Sequence, residues 1–249
     1  MAAIYIARDA DKRIVVIRCL REDFAPRTKW RKSFLKGADI LAKLDHPNII
    51  RILEVHDRPP YYMVIEYVDA KNLRSLILNR DLLIETHRLL LLRQMASALY
   101  YIHSMGYLHL DFKPDNLLVR TDASVKLIDF DLVTTHQRRP ARLRELEGTP
   151  FYIPPEALRN RRVDERADIY AFGVTAYEMI NYYKPFHADT LGKARRAQHD
   201  PIVKPAAFRP SASDVPPALQ SLIFKCLAKA PVDRYPSMSL VMKDLEDLV

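Results

Sequence analysis

The stretch HLDFKPDNLLV, His109 to Val119, places a carboxylate at Asp111, an ammonium at Lys113 and an amide at Asn116 on one short loop. Moving a phosphoryl group onto a hydroxyl requires in-line placement and neutralisation of spreading negative charge. A carboxylate, an ammonium and an amide held together are the parts for that work. Far upstream, VVIRCL carries a second cation, Arg18. The question is which elements hold these groups and whether they still meet around a nucleotide.

The chain has 249 residues, enough for one large domain or two modest lobes with real cores. Its apolar content of 49% and charged content of 28% fit a globular protein and argue against disorder. Cys19 and Cys226 are far apart and match no zinc spacing, so they are expected as free thiols in a reducing cytoplasm. The first residues show no basic leader with an apolar core. The richest apolar run, Leu89–Ile102, is interrupted by Arg93 and Gln94 and reads as a buried amphipathic helix, not a membrane span. Net charge is +8, but the arginines are scattered. The densest group, Arg138–Arg144, has no interleaved aromatics, so a solvated basic surface is expected and no specific nucleic-acid binding.

Residues 1–65 read as strands plus one helix. AAIYIARD and RIVVIRCL flank a hairpin-like turn, and a helix with Phe34, Ala38, Leu41 and Leu44 on one face runs to His46-Pro47-Asn48. Two strands follow around Pro59-Pro60. Helices are expected over 72–79, 82–105, 165–182, 188–198, 215–228 and 237–248, with short strands in NLLVR and VKLIDF and a long polar connection over 131–154. The boundary between a β-rich and a helical part falls near Glu66–Val68.

Several segments follow one another in order: His109–Asn116, LIDFDL with Asp129, GTPFYIPPE, ADIYAFGVTAYEMI and PVDRYPSM. Any one alone is weak, since a lone His-x-Asp is usually structural. All of them in this order resemble the Ser/Thr protein kinase family, over essentially the whole chain. The resemblance implies an α+β bilobal fold, with an N-lobe over 1–65 and a C-lobe over 66–249 making one kinase domain. It implies Asp111 as the base, Lys113 beside the γ-phosphate, and Asn116 and Asp129 as ligands of Mg²⁺. It places Val16, Arg18, Ile65, Glu66, Val68 and Leu118 around ATP, with Glu66–Val68 as hinge and Ile65 guarding the rear. His109 and Phe130 would stack with Leu41 and Ile52, Asp168 would hold the catalytic-loop backbone, Glu156 would pair with Arg234, and Thr149 would help seat a substrate Ser or Thr.

The pattern also departs from the family. No glycines cluster into a phosphate-cradling loop, and AAIYIARD resembles the strand after that loop. Either a start further upstream or a cleft without that lid is expected. Arg18 stands for the family's lysine, and its planar fork is not a geometric substitute. Val16 replaces an alanine over adenine. Gly37 stands where a helix glutamate would pair with that lysine, and Asp39 lies roughly 200° round the helix from it. Asp131 replaces a glycine and adds negative charge near the phosphates. Leu110 replaces an arginine that receives an activation-loop phosphate, and no Ser, Thr or Tyr lies between His136 and Gly148, so control by phosphorylation there is not expected. Two readings result. One is a Ser/Thr protein kinase with an impaired ATP site acting on a protein substrate. The other is a pseudokinase that binds and regulates a protein partner. A small-molecule phosphotransferase is disfavoured by GTPFYIPPE and DRYPSM.

Overall fold

Strand β1 (Ala2–Arg8) pairs antiparallel with β2 (Ile14–Leu20) through a turn in which Lys12 takes a left-handed conformation (φ 63°). The computed structural model describes residues 2–136, 141–142, 149–160, 162–186, 190, 192–193, 196–197, 200, 202–209 and 214–248. Strands β3 (Ile52–His56) and β4 (Tyr62–Glu66) flank the Pro59–Pro60 turn and complete a four-stranded sheet of order β1-β2-β4-β3. Helix α1 (Thr28–Leu41) lays Phe34, Gly37, Ala38, Ile40 and Leu41 inward. It ends before the expected His46. Leu44 N–H bonds back to the Leu41 carbonyl at 3.1 Å, a tighter turn that closes the helix, and the His46 ring stacks on Tyr101 instead.

The rest of the chain is mainly helical. Helix α2 (Leu73–Leu78) starts at Asn72, whose side chain accepts the Ser75 N–H, and α3 (Leu82–Ser104) starts at Asp81, which accepts that of Leu83. Helix α4 (Pro155–Asn160), unexpected from apolar spacing, opens with a proline at a position that needs no N–H. Helix α5 (Glu165–Asn181) is buried from Ala167 to Asn181, with Tyr170, Phe172 and Tyr177 fully enclosed. Gly173 lets α6 (Pro217–Cys226) approach closely, since a Cβ there would lie 2.7 Å from Cys226 Cβ. Helix α7 (Met238–Glu246) packs on α3.

Short strands β5 (Lys71–Asn72), β7 (Leu117–Val119) and β8 (Val125–Leu127) form a second sheet, while β6 (Tyr107–Leu108) pairs with β9 (Thr134–Thr135). The two halves are tied by backbone: Ile50 N–H bonds to the Leu127 carbonyl and Leu127 N–H to that of Asn48, both at 2.9 Å. The Asn48 amide extends this link to Gln94 (2.8 Å) and the Val125 carbonyl (3.1 Å). This is an α+β bilobal architecture, with a sheet-rich N-terminal part and a helical C-terminal part. The strand β8 that joins them leads directly into Asp129.

Candidate active site

The loop after β6 is held from below. Asp168 is fully buried on α5 and accepts the N–H groups of His109 and Leu110, each at 2.8 Å, and His103 Nε2 at 2.8 Å. Burial opposes its charge, but these donors hold its carboxyl below the usual range. The loop thus turns at Leu110, which adopts a left-handed φ of 64°, and its side chain packs on an apolar cluster with Leu108, Ile153 and Ala167.

The turn presents Asp111 to the cleft. Its Oδ2 accepts from Lys113 Nζ at 2.7 Å and Asn116 Nδ2 at 3.0 Å. Its Oδ1 is buried with no hydrogen-bond partner among the described residues. One oxygen is therefore locked and the other accepts from no donor. Lys113 Nζ also reaches Thr149 Oγ1 at 2.8 Å, bringing the GTPFYIPPE segment beside the carboxylate.

Strand register assembles the oxygen donors. Leu117 pairs with Leu127, so the residues flanking that pair converge, and Ile128 N–H bonds to the Asn116 carbonyl at 3.0 Å. Asn116 and Asp129 line the same cleft although Asp129 lies thirteen positions further along the chain. The Asn116 Nδ2 is committed to Asp111, so Oδ1 is its oxygen for a cation. Among the described residues no three His, Cys, Asp or Glu side chains cluster as a metal cage. One carboxylate and one amide fit Mg²⁺, which fills its shell with waters and substrate phosphates.

Arg18 does not stand free. Its Nη1 and Nη2 donate to the two carboxylate oxygens of Asp131 at 2.7 and 2.6 Å, and Nη2 lies 3.3 Å from Asp129 Oδ1. Phe34 lies 5.4 Å from the guanidinium. Burial opposes the Arg18 charge, yet the two carboxylates raise its pKa; burial pushes the Asp131 carboxyl up against the pull of Arg18. Asp131, read from the sequence as added negative charge near the phosphates, is the partner of Arg18. Asp39 faces solvent and pairs with Lys43 at 2.7 Å, as its helical position implies.

Arg18, Asp111, Lys113, Asn116, Asp129, Asp131 and Thr149 line one cleft of about 960 Å³. Val16, Ile65, Glu66, Val68 and Leu118 line the same cleft. Val16 pairs with Ile65 across β2 and β4. The Glu66 carboxylate is held by Lys126 at 2.7 Å and the Arg51 N–H at 2.8 Å. Its side chain is thereby occupied, which leaves the strand-end backbone as the element facing the cleft. His109 meets Phe130 edge-on at 5.2 Å, and Leu41 is buried in the same core. Arg234 grips Glu156 at 2.7 and 2.9 Å.

Lys29 and Trp30, at the start of α1, also line the cleft and were not singled out from sequence. Nor was a buried network in which Arg74 bonds Glu178 at 2.6 Å and Tyr152 bonds both. Helical spacing hinted at none of these, because each depends on how separate elements dock. The loop His136–Gly148 and the basic group Arg138–Arg144 lie largely outside the described residues, as does part of the helix expected over 188–198. Both cysteines are free, and no helix among the described residues is long and apolar enough to cross a membrane.

Residues 1–245 match the model of the protein kinase domain. The chain is 31% identical over 252 residues to a probable serine/threonine-protein kinase of Clostridium acetobutylicum, covering 99% of this chain and 38% of that protein. It is 29% identical over 249 residues to the serine/threonine-protein kinase PrkC of Bacillus subtilis, again 99% of this chain and 38% of the relative. A probable serine/threonine-protein kinase of Clostridium perfringens is 29% identical, with 100% and 36% covered. The chain therefore spans little more than a third of the length of these curated relatives. With the match running through both halves and the cleft between them, the chain belongs to the protein kinase domain family.

Proposed function

We propose that this domain transfers the γ-phosphate of Mg-ATP to a serine or threonine hydroxyl of a protein substrate. Asp111 takes the hydroxyl proton, Lys113 steadies the phosphate and holds Thr149 close, and Asn116 and Asp129 hold Mg²⁺. A bound Mg²⁺ neutralises charge on the phosphate oxygens. The observation that carries this reading is the asymmetry of Asp111: two donors fix Oδ2, while Oδ1 is buried and unpartnered. An acceptor oxygen with no donor of its own, on the residue that Lys113 ties to Thr149, suits an incoming hydroxyl. The names of the bacterial relatives support Ser and Thr as acceptors. The free thiols support a cytoplasmic location for the domain.

Transfer is slow in this reading, because Arg18 already answers two carboxylates. A misplaced charge at the phosphates costs about 10²–10³ in rate. The same observation favours a second reading, a binding module that regulates a protein partner without catalysis. Labelled Mg-ATP and a generic basic protein distinguish the two. Phosphoserine or phosphothreonine formed by the native chain and lost in Asp111→Asn supports transfer. Equal incorporation by both, or none by either, leaves the regulatory reading.

A further inference from the structure

Two departures from the kinase pattern, Gly37 and Asp131, meet at one point in space. Helix α1 lies directly on the backbone of Phe130 and Asp131. A Cβ on residue 37 would sit 2.7 Å from the Phe130 carbonyl oxygen and 3.0 Å from its carbon. Those atoms are main chain and cannot swing aside, so no glutamate fits at this position with α1 where it is. Ser33 Oγ, one turn earlier, donates to the Asp131 carbonyl at 2.5 Å and fastens the same approach. The helix has closed on the loop, and the carboxylate that a more distant helix would supply has no room there.

A carboxylate nevertheless meets Arg18. The Asp131 oxygens accept both arms of its guanidinium, in the parallel geometry that arginine makes and lysine cannot. Both side chains are nearly enclosed, at 12% and 10% exposure. An arginine without this partner would have one carboxylate left within reach, Asp129, which it already approaches at 3.3 Å. Full pairing with Asp129 would remove that group from metal binding. The Asp131 N–H also donates to Asp129 Oδ1 at 3.1 Å, so both contacts fall on one Asp129 oxygen and leave the other to the cleft.

We infer that Asp131 is the positioning residue for Arg18: it replaces the helix carboxylate, fixes the guanidinium in the wall of the cleft and keeps Asp129 available for the cation. The arginine, the glycine and the aspartate form one rearrangement. Arg18 is referenced to the loop that carries the metal ligand and not to α1. This inference rests on the phosphoryl-transfer reading for its purpose, but the pairing itself stands on geometry alone.

The test is a double-substitution cycle with Arg18→Met, Asp131→Asn and both together, read in two ways. The first is urea unfolding of the nucleotide-free protein, where the two changes together are expected to cost clearly less than their sum. Additive costs overturn the pairing whatever the nucleotide does. The second is titration with a fluorescent ATP analogue, with and without Mg²⁺. Asp131→Asn is expected to weaken Mg-dependent binding about tenfold when Arg18 is present and to have no effect beside Arg18→Met. An equal loss in both backgrounds overturns the positioning role. If the native chain pairs these residues but binds no analogue, the transfer reading and the positioning role both fail, and the pair is structural only. Asp131→Gly serves as a second variant should Asp131→Asn not fold.

Discussion

His109 is fully buried between Phe112 and Phe130, and its imidazole illustrates how the site is fixed residue by residue. Burial lowers its pKa below the ordinary 6.5, outweighing the pull of Asp168, Asp111 and Asp129. The unfolded chain therefore binds a proton near 6.5 that the folded chain accepts only at lower pH. Stability is complete above that value and falls as pH drops through the window beneath it. His46, lowered mainly by burial, acts with the same sign, whereas Asp168 matters only below about 3.8. The urea midpoint is expected to decline between about pH 7 and about pH 5, and His109→Gln to shrink that decline. A decline of unchanged size would place the linkage elsewhere. At this scale the sequence marked Asp111, Lys113, Asn116 and Asp129 as candidates, because their residue types cluster on short segments, and the structure sets all four in the wall of one cleft. The Arg18–Asp131 pair was not, since its members lie 113 positions apart and only the folded structure turns Asp131 toward the arginine.

At the scale of elements, α1 packs Gly37 on the Phe130 backbone and ties Ser33 to the carbonyl of Asp131, the partner of Arg18. Helix propensity alone predicts that Gly37→Ala stabilises the protein by about 1 kcal/mol. The added Cβ would meet Phe130 main chain at 2.7 Å, and overpacking of this kind costs about 1–3 kcal/mol. The overpacking dominates, because the colliding atoms are backbone. Gly37→Ala is expected to lower stability by about 1 kcal/mol or more in urea unfolding, and a gain would show that α1 does not lie this close. Apolar spacing made α1, α3, α6 and α7 readable, as their buried faces repeat every three or four residues, whereas α5 is buried all round and reads as a long, mainly apolar run. Helix α4 was missed, since a six-residue helix is too short to show a period and is held instead by the grip of Arg234 on Glu156. The end of α1 was placed too late because Leu44 continues the apolar spacing after the helical hydrogen bonds have stopped.

At the scale of the molecule, the cleft exists because two sheets are joined through backbone bonds at Asn48, Ile50 and Leu127. That join sets Arg18, carried on β2, against Asp129, carried on the strand end after β8. The bilobal plan was legible from the change between strand-rich and helix-rich patterns near Glu66. The closeness of the two charged groups across it was not, because it depends on how far the lobes approach. The central claim is that both halves converge on one cation-bound triphosphate. Calorimetric titration of the native chain and of Asp129→Asn with ATP, with and without Mg²⁺, tests it most directly. Mg²⁺ is expected to tighten ATP binding by about tenfold or more in the native chain and to have little effect in Asp129→Asn. Affinity indifferent to Mg²⁺ in the native chain, or an Mg²⁺ effect that survives the loss of the Asp129 carboxylate, would contradict it.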